Sequence, residues 1–205
     1  MKRNFRLAGL CAGLLVAGTL GGCAAVVVGS AVGTAMVVTD RRTAGTQLED
    51  QNIELKALTR VRESVGDRGH VNTTSYNRQV LLTGEVQTDA DRAAVEQAIG
   101  RIENVRSIVN ELSVSGASSL TSRSNDVILT SKIKASLIDA KDLQAGAIKV
   151  VTERAVVYLM GRVTEREANR ATDLARGVPG VQKVVKVFEN LTEAELANLG
   201  NEPKK

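Results

Sequence analysis

The sequence predicts an α/β fold, built as two small α+β sandwiches in tandem. Three observations carry this. A strand motif occurs twice, as Val80-Leu81-Leu82-Thr83-Gly84-Glu85-Val86 and as Val157-Tyr158-Leu159-Met160-Gly161-Arg162-Val163. Each copy is preceded by an apolar stripe at helical spacing and followed by a helix start. A Ser-rich segment separates the copies, so the body reads as one unit used twice.

Each unit opens with a helix. Ile53, Ala57 and Val61 recur at i, i+4 and i+8, and so do Leu129, Ile133 and Leu137, which lines one helical face. Val71 and Thr73, and likewise Ile148 and Val150, alternate as a first strand does. The repeated motif supplies the second strand. Gly84 and Gly161 share one position in it, which predicts a bulge or a close backbone approach. Thr88-Asp89-Ala90-Asp91 and Thr164-Glu165-Arg166-Glu167 then start a second helix. The latter is a capping box and the former its Asp counterpart. Ala94 and Ala98, matched with Ala171 and Ala175, are expected on the inner stripe, where small residues let a helix sit close to a sheet.

Ile102-Glu103-Asn104-Val105 and Val178-Pro179-Gly180-Val181 lead into a last strand. That strand follows a helical crossover, so it should run parallel to the strand before the helix. Each unit thus reads helix-strand-strand-helix-strand, with two helices on one face of a small mixed sheet. The units are placed at residues 47–115 and 124–191. A linker at 116–123 joins them, inside a stretch (113–124) that holds six serines and Gly116. Residues 192–205 form a C-terminal tail. Units of about 70 residues are small for independent stability, so the two should pack on each other.

Composition excludes several classes of function. Aromatic residues make up 2% of the 205 and Trp is absent, which removes a stacking platform for nucleic acid. One His and two Cys are too few for the usual Cys/His zinc cluster. No Gly-rich phosphate loop and no paired-carboxylate site stands out, so no catalytic residue, metal site or cofactor is expected. His70 is read as a surface or strand-edge residue. The net charge of +4 arises largely in the leader: without Lys2, Arg3 and Arg6, 24 basic residues face 23 acidic ones. The remainder is divided. The first unit holds 8 basic and 11 acidic residues, the second 11 basic and 8 acidic.

The N-terminus reads as an address. A basic start, an apolar stretch and small residues describe a secretory signal peptide over residues 1–22. Leu20-Gly21-Gly22-Cys23 resembles a bacterial lipobox. That resemblance implies cleavage before Cys23, a diacylglycerol on its sulfur and an acylated amine, since two or more chains anchor stably where one does not. Residues 23–46 then form the lipidated N-terminus and a tether. Ala24, in place of a retaining Asp, implies sorting to the outer membrane. The alternative is an uncleaved span, because Leu7 to Thr39 carries no charge and contains Gly29-Ser30-Ala31-Val32-Gly33. Arg41 and Arg42 either touch lipid headgroups near the tether or solubilise it.

The Leu-x-Gly-x-Val strand, the capped helix after it and the Asn-Val or Gly-Val step into a last strand resemble the BON domain, a bacterial periplasmic module. The resemblance covers nearly the full length. It includes Thr39-Asp40-Arg41-Arg42-Thr43-Ala44-Gly45-Thr46-Gln47, Ser124-Asn125-Asp126 and the run from Val151 through Ala168. It implies a non-enzymatic outer-membrane lipoprotein that faces the periplasm, supports envelope integrity, associates with the division site and binds anionic phospholipid through its second domain.

The residues themselves give a place for such binding. Asn125 or Asp126 would cap the first helix of the second unit. Ile128 lies about 100° off the buried stripe and shares a face with Lys132. Val127, Ile128, Lys132 and Lys134 are therefore the candidate phospholipid contacts. Where the family has an aromatic anchor, this chain has Ile128. The competing reading packs Val127 and Ile128 on the first unit. A competing function is a protein adaptor for outer-membrane assembly or peptidoglycan-remodelling regulators. Mass spectrometry of the mature protein is expected to find a triacylated Cys23 at the N-terminus; an unmodified Met1 would refute the lipobox.

Overall fold

The computed structural model describes residues 40–199. The leader, Cys23 and most of the tether fall outside the described residues, as do residues 200–205. Among the described residues no helix is long and apolar enough to cross a membrane.

The first domain runs α1 (Ala44–Val65), β1 (Gly69–Tyr76), β2 (Gln79–Val86), α2 (Asp89–Gly100), β3 (Ser107–Asn110) and β4 (Ser113–Val114). The second runs α3 (Leu120–Asp139), β5 (Ile148–Glu153), β6 (Val156–Thr164), α4 (Glu165–Arg176) and β7 (Lys183–Leu191), and α5 (Glu193–Leu199) follows it. β1 pairs antiparallel with β2, and β3 and β4 pair parallel with it. β5 pairs antiparallel with β6, and β7 pairs parallel. Each sheet is mixed, with its strand from the crossover parallel, as the repeat predicts.

Helix boundaries differ from expectation at both domain starts. Thr43 caps α1 by accepting from the Thr46 amide at 3.1 Å, so the helix takes in residues 44–46 of the expected tether. Ser119, not Asn125 or Asp126, caps α3 by accepting from the Ser122 amide at 3.1 Å. Serine serves linkers and N-caps alike, and a run of serines hides which one starts the helix. In α2 the inner stripe is Val95 and Ile99, both fully buried, whereas Ala94 is exposed and Ala98 half-buried. Counted from the caps Thr88 and Thr164, Val95 and Ile99 occupy the places of Ala171 and Ala175. A slip of one residue rotates a helical position by about 100°.

Asp126 has a different task. Its carboxylate accepts from the amides of Arg154 and Ala155, both at 2.8 Å, in the two-residue turn between β5 and β6. Asp50 does the same in the first domain, accepting from Asn77 at 2.8 Å and Arg78 at 2.7 Å between β1 and β2. Both turns hold two non-glycine residues at positive φ: 51° and 65° at Asn77 and Arg78, 51° and 61° at Arg154 and Ala155. A two-residue turn of this kind matches the twist of the strands but disfavours side chains, and Gly is its usual occupant. Each buried aspartate holds its turn from the helix behind.

The sheets are buried on both faces, which explains their continuous apolar runs. Val80 and Leu82 face α1 and α2, and Val157 and Leu159 face α3 and α4. The alternate residues point the other way: Tyr76 and Leu81 meet Tyr158, Met160 and Val187 in a third core between the domains. The order of layers is helices, sheet, sheet, helices. At Gly84 a Cβ would lie 2.0 Å from the His70 carbonyl oxygen, and at Gly161 2.4 Å from that of Ala147, so no side chain fits at either place.

Arg41 and Arg42 are neither free nor facing headgroups. Arg41 makes two 2.8 Å bonds to the Glu167 carboxylate and a third, also 2.8 Å, to the Arg162 carbonyl, all in the second domain. Arg42 pairs with Asp50 at 2.8 Å and lies 4.1 Å over the Tyr76 ring, both in the first domain. The Arg41 bonds hold the Glu167 carboxyl below its ordinary range, against the opposing effect of burial. Burial alone would raise Asp50, but bonds from Ser75, Arg78, Arg42 and Asn77 outweigh it and lower its pKa. Burial, with the Asp40 charge, pushes the Tyr76 hydroxyl up to about 12.

Two outcomes follow for stability. Removing one partner of a buried ion pair leaves the other uncompensated, so Arg41→Ala should destabilise the fold by about 3 kcal/mol in chemical denaturation. Carboxyls with depressed pKa values contribute stability that is complete above their unfolded pKa and lost as pH falls through the folded one. Denaturation midpoints should therefore drop as pH falls below 4.5, the ordinary Glu value, and less steeply in Arg41→Ala.

Candidate functional site

Helix α3 buries Leu129, Ile133 and Leu137 against its own sheet. Its opposite side is also apolar. Leu120, Val127, Ile128 and Ile138 are 80%, 67%, 53% and 54% exposed. At about 100° per residue these four fall within a single stripe roughly opposite the buried one. Lys132 borders the stripe on one margin and Lys134 on the other, and both are exposed. The cap at Ser119 fixes this arrangement, because it lengthens the helix enough to add Leu120 to the stripe.

The four predicted contacts are thus not one cluster. Ile128 and Lys132 face outward together. Val127 and Lys134, at the edge of the stripe, also line a cleft of about 430 Å³ with His70 and Asn72 of the first domain and with Glu153. The reading that packs Val127 and Ile128 on the first domain therefore fails for Ile128 and applies to Val127 only as a wall of that cleft. Leu120 and Ile138 were not singled out from the sequence. Leu120 fell in the expected linker, and Ile138 lies beyond the segment around Ile128. The signal that finds them is the i, i+7 and i+18 spacing of Leu120, Val127 and Ile138, which returns to one helical face once the true cap is known.

On the far side of Lys134 runs a second groove, of about 300 Å³. It is lined by Ile138 and Lys134 of α3, by Tyr76, and by Asp40 and Arg42 of the N-terminal segment. The end of the tether and the C-terminal half of the apolar stripe therefore share one groove.

His70 lies on the edge strand β1, as expected, but it is not alone there. Its Nδ1 lies 3.6 Å from the Glu85 carboxylate on the neighbouring strand. Glu153 of the second domain comes into the same group. Asn72 donates to Glu153 at 2.9 Å, and burial together with the Glu85 charge raises the Glu153 pKa in spite of that bond.

Two mixed-sheet sandwiches of this topology in tandem define the class. The model of the BON domain matches residues 49–116 and 125–190, and the chain belongs to the BON-domain family. Among curated proteins it is 39% identical over 175 residues to the outer membrane lipoprotein DolP of Haemophilus influenzae, covering 84% of this chain and 90% of that one. It is 31% identical to a 21 kDa hemolysin of Actinobacillus pleuropneumoniae, covering 73% of this chain and 78% of the relative. It is 28% identical to the osmotically-inducible protein Y of Escherichia coli, covering 68% and 72%. The relationship to an outer membrane lipoprotein over most of both chains places this protein at the outer membrane, lipid-anchored and facing the periplasm.

Proposed function

We propose that the protein is a non-enzymatic envelope protein that reads anionic phospholipid through the exposed face of α3 and supports envelope integrity, in connection with cell division. The observation that carries this is the stripe of Leu120, Val127, Ile128 and Ile138, with a lysine on each margin, on the side of α3 away from its core. A surface helix with apolar residues at the centre and lysines at the edges suits the boundary between acyl chains and headgroups. Each basic residue near an anionic surface contributes about 1 kcal/mol. Two lysines and shallow insertion of Ile128 give only weak binding on their own, since about 4 kcal/mol corresponds to a millimolar dissociation constant. Weak binding suffices if an acylated Cys23 already holds the protein at the membrane, because a tethered second contact acts at high effective concentration. The groove shared by Asp40, Lys134 and Ile138 supports that pairing of tether and helix.

A second reading is a protein adaptor for outer-membrane assembly or peptidoglycan-remodelling regulators. It is favoured by Leu48, Leu55 and Leu58 on α1, which are 62%, 63% and 63% exposed in the more acidic domain.

Flotation with phosphatidylglycerol vesicles separates the two. The non-acylated protein must begin upstream of Asp40, so that the Arg41 and Arg42 contacts are kept. It should float with anionic vesicles, less so at high salt, and not with phosphatidylcholine alone. Ile128→Asp combined with Lys132→Glu should abolish flotation without lowering the melting temperature, because both side chains are exposed. Unchanged flotation of that variant would refute the site. A crosslinked protein partner without any vesicle binding would favour the adaptor.

A further inference from the structure

We infer that His70, Glu85 and Glu153 form a binding site for a divalent transition cation of the zinc class, shared between the two domains. Each residue offers one ligand atom, and the three atoms lie within 4.8 Å of one another. His70 and Glu85 are cross-strand partners on β1 and β2, while Glu153 ends β5 in the second domain. The arrangement thus depends on the packing of one sheet on the other.

The second observation concerns Glu85 itself. The residue is 1% exposed, and neither carboxylate oxygen has a hydrogen-bond partner among the described residues. The His70 Nδ1 aimed at it is likewise buried and unpartnered. A buried carboxylate without a partner is strongly unfavourable, and such charges are normally paired or bound to metal. The nearest cation is Arg154, whose guanidinium lies 3.8 Å from Glu85, beyond hydrogen-bond reach. That side chain is half-exposed and donates instead to the Ser115 hydroxyl at 2.7 Å. Glu153 uses only Oε2 to accept from Asn72, which leaves Oε1 available.

The donor set selects the ion. One imidazole and two carboxylates suit zinc and its neighbours, whereas calcium and magnesium prefer all-oxygen sets. His70 and Glu153 also line the 430 Å³ cleft, which supplies a route from solvent and room for a fourth ligand. Asn72, bonded to Glu153, would orient that carboxylate from behind. This site needs no cysteine, because carboxylates take the cysteines' place, so a scarcity of Cys and His does not exclude it. The proposed site departs from the sequence-based expectation that the chain has no metal site.

The test uses the full chain in detergent, stripped with a chelator and titrated with Zn²⁺ alone in a calorimeter. One equivalent should bind per chain, and the melting temperature should rise with Zn²⁺. His70→Ala, Glu85→Gln and Glu153→Gln should each weaken binding by roughly tenfold or more. Glu85→Gln and Glu153→Gln are near-isosteric, and melting without metal confirms that each variant is folded. Added Ca²⁺ should not compete. Stoichiometric binding that survives in folded Glu85→Gln, competition by Ca²⁺ at equal concentration, or no saturable heat with the wild-type chain would each overturn the site.

Discussion

The fold depends on a buried aspartate on the inner face of the first helix of each domain, which closes a turn of the sheet. Asp50 and Asp126 each accept from two consecutive amides in a hairpin whose central residues sit at positive φ without glycine. A charged acceptor makes each of these bonds stronger than a neutral one. The local preference of Asn77-Arg78 or Arg154-Ala155 would not by itself hold so tight a turn. The helix therefore supplies what the loop lacks, and the turn in turn fixes the register of β1 on β2 and of β5 on β6. With register fixed, every second side chain of the central strands faces the helices and the rest face the other domain.

That alternation makes the domains interdependent. Leu81 and Tyr76 on one sheet, and Tyr158, Met160 and Val187 on the other, would be exposed apolar surface in either domain alone. Polar contacts ring this core. Tyr76 donates to the Ala147 carbonyl at 3.2 Å, Lys149 pairs with Glu54 at 3.1 Å, and Tyr158 reaches Glu111 at 3.4 Å. Glu167 joins a local task to a long-range one. It completes the capping box of α4 by accepting from the Thr164 amide at 3.0 Å, and it also holds Arg41.

Much of this was legible in the sequence, and the parts that were not share a cause. The strand repeats, the parallel last strands and the capping box at Thr164 are local patterns, and periodicity reads local patterns well. Arg41 finds Glu167 across 126 positions, and Asn72 finds Glu153 across 81. No spacing rule reaches that far. Arg41 and Arg42 therefore looked like solubilising charges, and His70 looked solitary. Helix α3 was half legible. Ile128 and Lys132 stood out against the buried stripe, but apolar residues on two opposite faces leave little amphipathic asymmetry. Leu120 could not be placed on the helix while the serine run concealed its cap.

The position of Asp40 to Thr43 has a mechanical consequence. A pull along the upstream chain would arrive at adjacent arginines, one bonded to each domain, and not at the end of a single helix or edge strand. Load entering there is divided between both halves at the seam where their sheets meet. Freeing the chain from this seam would break two ion pairs in turn, Arg41 with Glu167 and then Arg42 with Asp50. A domain pair hung from its own junction thus takes load at the seam and not on the exposed face of α3.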